Sequence, residues 1–260
     1  GSMKLWRLIL KSVLLFAALN FTFSAFGSGF IPSIYNHLVP GRERLPFGEN
    51  TEAYNLSLFD LDAMFAAHEI AAPKAADEFR VVVVGDSSVW GTLLHNKETL
   101  TGQLNALGLR TTDGRNIHVY NLGYPTISLT KDLLILQQAL AYEPDLILWM
   151  LTLESFPVDK QLTVPLVSNN ATRVDELVSV YGLDAEPNSD ALIRPDFWDT
   201  TLVGRRRALA DWYRLQVYGV MWGITGIDQF YPETYTPAQV DLEADETFHE
   251  MTPEGYDETQ

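Results

Sequence analysis

Four consecutive valines, residues 81–84, run directly into Gly85, Asp86 and Ser87. A continuous β-branched segment that stops at turn-forming residues is typical of a strand buried on both faces of a parallel sheet. Parallel strands need crossover connections of a dozen or more residues, and these are usually helices. The segment therefore predicts an α/β domain and places Ser87 where a buried strand ends.

The sequence that follows repeats this alternation of strand and helix. Leucines at helical spacing predict a helix over 98–109, and a second strand begins at Ile117 and ends in a turn containing Gly123. A helix over 129–144 and a third strand from Asp145 come next. This order predicts a right-handed, doubly wound parallel sheet with helices on both faces, a three-layer flavodoxin-like α/β fold.

Polar residues and glycine follow all three predicted strands, at the edge where active sites of such sheets lie. The strand ends carry Asp86 with Ser87, Gly123, and Glu154 with Ser155. A serine at this edge is within reach of substrate, and the amides that open the next helix favour developing negative charge. The alternative is an ordinary turn in which Ser87 or Ser88 caps the helix.

The segments VVVVGDSSVWG, NLGYPTIS and PDLILWMLTLES occur in this order over residues 79–156. Together they resemble the SGNH (GDSL-like) hydrolase family, in particular its exported polysaccharide and cell-wall acyltransferase branches. The resemblance implies that Ser87 is the nucleophile and that the backbone amides of Ser87 and Gly123 form part of an oxyanion hole. It also implies that the substrate carries small O-linked acyl groups, such as acetyl on an extracytoplasmic glycan.

The third segment departs from the family pattern. The family segment ends in Gly-x-Asn-Asp, and alignment places Thr152 at the glycine and Glu154 at the asparagine that completes the oxyanion hole. A carboxylate donates no hydrogen bond unless it is protonated. Either Glu154 is protonated, or another donor replaces it, or the domain is a weak or inactive catalyst; an ordinary surface acid is the plainest interpretation of Glu154.

The family places its general base on a late Asp-x-x-His segment. The similar arrangement here is His249 with Glu246 three residues before it, although glutamate replaces aspartate and no predicted fourth strand precedes the pair. The alternative expectation is that the fourth strand and the Asp-x-x-His segment lie beyond Gln260 in a longer parent protein, which would leave the C-terminal part of this domain incomplete. The other histidines are expected to be packed or solvated: His37, His68, His95 and His118.

The N-terminus predicts a membrane anchor. Lys4, Arg7 and Lys11 precede an uncharged, largely apolar run over 12–34, which is long enough to cross a hydrocarbon layer of roughly 30 Å. Cations before the run and none directly after it predict a cytoplasmic N-terminus and an exported remainder. A cleaved signal peptide is the competing interpretation, because the residues over 24–28 are mostly small.

We therefore expect a signal anchor over 1–34, a linker or lead-in over 35–78, and an SGNH-like domain over 79–260 with an insertion or lid at about 157–245. Within the last of these, the stretch from Arg205 predicts either an amphipathic helix packed on the domain or a helix at the membrane surface. Four aromatic side chains would then face the interface: Trp212, Tyr213, Tyr218 and Trp222.

Composition excludes several classes of function. A net charge of −16 argues against a nucleic-acid partner, because phosphate binding needs clustered lysine and arginine. The absence of cysteine excludes a thiol nucleophile and thiolate metal sites. No metal-ligand or phosphate-loop motif occurs, so neither metal nor cofactor is expected, and a flavodoxin-like nucleotide binder ranks last. The expected function is a serine-dependent esterase or O-acyltransferase; the alternative is an inactive, membrane-anchored binding module that keeps the same sheet.

Overall fold

The computed structural model describes residues 2–26, 41–48, 53–56, 58–182 and 189–229. Strands alternate with helices along this part of the chain, as the sequence predicts. The elements are α1 (Ser2–Phe26), α2 (Leu61–Ala66), β1 (Glu78–Gly85), α3 (Ser87–Trp90), α4 (Leu100–Ala106), β2 (Asn116–Gly123), α5 (Leu129–Leu140), β3 (Leu146–Trp149), α6 (Pro165–Ser168), α7 (Ala171–Tyr181) and α8 (Arg206–Thr225).

The sheet has three parallel strands in the order β2-β1-β3, so β1 is central. Residues 81–84 pair with β2 on one side and with β3 on the other. All four valines are 4% exposed or less, because strands flank β1 on both edges and helices cover both of its faces. The predicted buried parallel strand is therefore confirmed.

Alternate valines of β1 face different layers. Val82 and Val84 belong to the larger core cluster, which also contains residues of α2, α5, α7 and α8. Val81 and Val83 form a smaller cluster with Val89 of α3, and Leu104 of α4 packs against it. The connections from β1 to β2 and from β2 to β3 thus lie on opposite faces. The layout is α/β and consistent with the predicted flavodoxin-like arrangement.

The two edges of the sheet differ. The outer edge of β2 is capped by the side chain of Asn105, which accepts a hydrogen bond from the Val119 amide and donates one to its carbonyl, both at 2.8 Å. β3 has only four residues and no strand beyond it in the described part of the chain. Leu146 and Ile147 are consequently 43% and 38% exposed. The third strand is therefore shorter than the apolar run that predicted it.

The lead-in segment contributes to the core in its described residues. Leu61 and Phe65 of α2 are almost fully buried. Arg44 is also fully buried, donates a hydrogen bond of 2.7 Å to the carbonyl of Gly91, and forms an ion pair of 2.6 Å with Asp228. The segment before the sheet and the residues after α8 are thereby joined to the turn that follows α3.

Helix α8 is the packed amphipathic helix that the sequence predicts, and it runs without a break through Gly219. Leu215 and Trp222 are buried, and the guanidinium of Arg42 lies 4.5 Å from the centre of the Trp222 ring. Trp212 also packs against the larger core. Of the aromatic side chains considered for a membrane surface, Tyr213 is the one that remains largely exposed, at 68%.

Helix α1 begins at Ser2, before the uncharged run, and its Lys4–Ser24 segment is long and apolar enough to cross a membrane. The same length and composition also suit a signal sequence. Most of its apolar side chains are exposed. Its last two turns instead contact the segment over 197–203, which immediately precedes α8.

Candidate active site

Ser87 is the first residue of α3 and lies directly beyond the end of β1. Its side chain is exposed, and its hydroxyl makes no hydrogen bond to another residue that the structure describes. The helix cap is provided by Asp86, whose carboxylate accepts from the Ser88 amide at 2.9 Å and from the Ser88 hydroxyl at 2.7 Å. The interpretation in which Ser87 caps the helix is thus wrong, and its hydroxyl is left available at the rim of the sheet.

Gly123 ends β2 and pairs with Gly85, the last residue of β1. A Cβ atom on Gly123 would lie 2.4 Å from the amide nitrogen of Trp90 and 2.8 Å from the carbonyl carbon of Val89. Only glycine therefore allows the backbone of α3 to approach the end of β2 this closely. The predicted nucleophile turn and the predicted oxyanion glycine are brought together.

The amide of Gly123 is already engaged, because it donates a hydrogen bond of 3.0 Å to the side-chain oxygen of Asn121. The side-chain nitrogen of Asn121 donates to the carbonyl of Val89 at 2.8 Å. Asn121 is 2% exposed and so fixes α3 against β2. To hold an oxyanion, the Gly123 amide would have to share or exchange this bond.

Glu154 makes no hydrogen bond or ion pair with Ser87, Asn121 or Gly123 in the part of the chain that the structure describes. It belongs to a short 3-10 turn, Leu153–Ser155, beyond the end of β3. Its side chain is 66% exposed and its carboxylate is 3.6 Å from the ammonium of Lys160. The residue that approaches Gly85 from the third strand is Met150, whose carbonyl oxygen lies 3.0 Å from the position of a Cβ on Gly85.

A buried ion pair that the sequence reasoning missed lies behind the strand ends. The ammonium of Lys131 donates hydrogen bonds to the carbonyls of Gly85 and Tyr124, at 2.9 and 3.2 Å. It also contacts the carboxylate of Asp132 at 2.5 Å, and the indole of Trp149 donates to that carboxylate at 3.0 Å. Burial lowers the pKa of Lys131 and raises the pKa of Asp132, while their mutual attraction opposes both shifts.

The sequence feature that could have revealed this pair is its position on the apolar face of α5. Lys131 and Asp132 lie on the same face as Leu134, Ile135 and Ala139, all of which are buried. Charged side chains are buried on an apolar face only when they form ion pairs or hydrogen bonds inside the protein. The position of Lys131 and Asp132 therefore indicated that they bind each other or other buried groups. The four carbonyl and carboxylate contacts could not be read from the sequence.

No described histidine forms a hydrogen bond with the Ser87 hydroxyl. His68 is fully buried; its Nδ1 accepts from the Ile70 amide, so its Nε2 carries the proton and donates to the carbonyl of Asn121 at 3.0 Å. Burial lowers the pKa of His68, whereas the Glu69 carboxylate, 3.6 Å from the Nε2 atom of His118, raises the pKa of His118. His95 is exposed and precedes the 3-10 turn Asn96–Glu98. The other candidates for the base and its orienting partner lie outside the described residues: His37, Glu246 and His249.

Comparisons with family models, with curated proteins and with solved structures give no match to this chain. Its class is therefore defined by the fold and the site alone. It is an α/β protein with a three-stranded parallel sheet, an exposed serine at the end of the central strand, and an N-terminal helix that is apolar enough to span a membrane.

Proposed function

We propose that this chain is an SGNH-type, serine-dependent esterase or O-acyltransferase, anchored in a membrane by α1 and acting on an extracytoplasmic acylated substrate such as a glycan. The observation that carries the proposal is the Ser87 hydroxyl. It is exposed at the carboxyl end of a buried parallel strand and forms no hydrogen bond with another described residue. The adjacent Ser88 hydroxyl, in contrast, donates a hydrogen bond to Asp86.

In the proposed reaction the Oγ atom of Ser87 forms a bond to the acyl carbon while its proton passes to a base. The bond from that carbon to the leaving alkoxide breaks, and the alkoxide takes up the proton. Water or an acceptor hydroxyl then removes the acyl group from Ser87. The base is His249, oriented by Glu246, or a histidine supplied from outside this chain.

The amides of Ser87 and Gly123 are the proposed donors to the oxyanion, and Asn121 would release or share the Gly123 amide when substrate binds. Glu154 occupies the family's asparagine position and is not needed as a donor in this scheme. Exposure of Glu154 beside Lys160 suits a surface role for its carboxylate.

Retention of α1 as an anchor is supported by its contacts with the folded domain. Asn20 accepts a hydrogen bond of 2.9 Å from the Val203 amide, and the hydroxyls of Ser24 and Thr200 are 2.6 Å apart. Cleavage after α1 would remove these partners. Together with the cations that precede the apolar run, this supports a cytoplasmic N-terminus and a sheet outside the membrane.

A fluorophosphonate probe tests the nucleophile directly, because it reacts covalently with an activated serine. We expect the wild type and the matched control Ser88→Ala to be labelled and Ser87→Ala to remain unlabelled. Equal labelling of the wild type and Ser87→Ala, or no labelling of the wild type, would remove the basis for an enzyme.

A catalytically inactive binding module is the second candidate function. It is favoured by the hydrogen bond that already engages the Gly123 amide and by the exposure of Glu154, whose carboxylate lies beside Lys160. Turnover of p-nitrophenyl acetate by the wild type and Ser88→Ala, but not by Ser87→Ala, excludes this candidate.

A further inference from the structure

The last turns of α1 are packed against the loop over 197–203. The Val203 amide donates to the side chain of Asn20, Ser24 and Thr200 share a hydrogen bond, and the rings of Phe21 and Phe197 are stacked at 5.9 Å. This loop is separated from α1 in sequence by the whole sheet. Its position therefore follows from tertiary packing and is not a consequence of chain connectivity.

Asn20 fixes the level of this loop along the membrane-spanning segment of α1. A polar side chain within an apolar span is costly unless it is satisfied, and Asn20 is 7% exposed, donating to the Phe16 carbonyl and accepting from Val203. A helix rises about 1.5 Å per residue, so Asn20 is about 6 Å further into the span than Ser24. When α1 crosses a membrane, Val203 lies at the level of the headgroups and the outermost acyl carbons.

Most of the exposed side chains of the loop are apolar, as expected for a segment at the boundary between the headgroups and the acyl chains. Phe197 is 54% exposed, Trp198 is 65% exposed and Val203 is 43% exposed. Tryptophan and tyrosine concentrate at the boundary between water and hydrocarbon, because their rings are apolar but carry a polar N–H or O–H group. An exposed tryptophan beside a spanning helix is explained by contact with lipid better than by contact with water.

A cavity of about 540 Å³ lies between α1 and the loop. Its lining is mainly apolar and includes Phe16, Phe21, Trp198 and Val203, and two charged residues, Asp199 and Arg206, also line it. Arg206 is exposed, donates a hydrogen bond of 2.6 Å to the Val203 carbonyl and forms no ion pair with a carboxylate among the described residues. The carboxylate of Asp199 instead accepts from the Asp196 amide at 2.9 Å. In a chain of net charge −16, a cation without an acidic partner beside an apolar cavity is complementary to an anionic amphiphile.

We propose that this cavity binds the acyl chain of an anionic phospholipid in the leaflet at the C-terminal end of α1, with the lipid phosphate at Arg206. The inference rests on the anchoring part of the proposed function and is independent of Ser87. It makes the 197–206 segment a second membrane contact, which holds the candidate active site at a fixed height above the bilayer.

The chain has no cysteine, so single cysteines can be introduced into it and labelled with an environment-sensitive fluorophore. Three positions are informative: Leu14→Cys, on the exposed apolar face of α1; Trp198→Cys, at the cavity; and Val180→Cys, an exposed control on α7. The labelled proteins are reconstituted into phosphatidylcholine vesicles containing phosphatidylglycerol, and nitroxide groups on the acyl chains serve as quenchers.

We expect quenching at positions 14 and 198 and none at position 180. Quenching at 14 without quenching at 198 overturns the inference while the anchor stands. No quenching at 14 shows instead that the anchor proposal has failed. Phe197→Cys repeats the measurement with Trp198 intact, so that a loop disturbed by the first substitution is recognised.

The headgroup preference is tested by placing the nitroxide on either phosphatidylglycerol or phosphatidylcholine. One arginine near an anionic surface contributes about a fivefold preference, so the labelled loop should be quenched more strongly by phosphatidylglycerol. Arg206→Gln should remove the difference and the control Arg194→Gln, on an exposed pair with Asp175, should keep it. Equal quenching by both lipids in the wild type overturns the assignment of the phosphate to Arg206.

Discussion

The ammonium group of Lys131 donates a hydrogen bond of 2.9 Å to the carbonyl oxygen of Gly85, the last residue of the central strand. Lys131 and its partner Asp132 have side chains that are 1% and 3% exposed. A charge-assisted bond of this kind holds a strand end more firmly than a neutral one. The position of the turn that carries Ser87 therefore depends on a buried ion pair.

Replacing Lys131 by methionine should destabilise the protein by about 3–5 kcal/mol, because it leaves the Asp132 carboxylate buried without its partner. The free energy of unfolding, measured by urea denaturation, tests this. The double variant Lys131→Met with Asp132→Leu should recover much of the loss, since the two sites are coupled. A loss below about 1 kcal/mol in the single variant would contradict a buried ion pair here.

Gly123→Ala should destabilise the protein by about 1–3 kcal/mol or more, because its methyl group meets the backbone of Trp90. Gly182→Ala is the matched control: nothing lies within 4 Å of its added carbon, and it incurs only the strain of a φ of +64°. Thermal unfolding of both variants separates the steric contact at position 123 from the backbone strain at position 182. Equal stability of Gly123→Ala and the wild type would show that α3 does not rest on the end of β2.

His68 should make stability fall as the pH drops. Its folded-state pKa is lowered by burial, so the unfolded chain binds the proton more tightly. The stability that neutral His68 contributes is complete above the unfolded pKa of about 6.5 and is lost as the pH falls toward the folded value, by at most about 1.4 kcal/mol per pH unit. Denaturation at several pH values between 7.5 and 5 measures the slope.

His68→Gln can keep both hydrogen bonds without titrating, so the fall between pH 7 and 5 should become shallower. His118 acts in the opposite sense, because Glu69 raises its pKa and its contribution is lost as the pH rises. His118→Asn should therefore steepen the fall at low pH. An unchanged slope in His68→Gln would mean that His68 does not titrate as a buried neutral group.

Leu146→Lys should reduce self-association without a large loss of stability. Leu146 is 43% exposed on a strand with no described neighbour on its outer side, and such edges pair with other chains. Light scattering against protein concentration measures the effect. Val180→Lys adds the same charge on α7, where the side chain is 69% exposed, and should change association less.

The sequence predicted those elements whose cause is local. The valines of β1, the leucines of α4 and α5 and the turn glycines indicated the parallel sheet, because periodicity and turn chemistry act over a few residues. Helix α8 was also predicted, although Gly219 and Gly223 interrupt its apolar pattern. The position of Ser87 at the rim of the sheet was predicted correctly, because the chain leaves a fully buried strand at the edge of the sheet, where the next turn begins.

What escaped prediction depends on contacts between distant segments. Asn121 could not be distinguished from any strand residue, because its role is to hold Gly123 and Val89. Burial of Arg44 required knowledge that Asp228 would lie beside it. The short length of β3 likewise follows from where the sheet edge lies, which no local pattern encodes.

The link from Arg44 to Gly91 and Asp228 has a practical consequence for anyone who wishes to trim this protein. The turn that follows α3 is tied to a stretch near residue 44 and to another near residue 228, so a shortened version must keep both stretches to preserve the geometry around Ser87. A fragment limited to the three strands and their crossover helices would lack both Arg44 and Asp228, and the Gly91 carbonyl would lose this buried donor, so the reactivity of the fragment would say little about the intact protein.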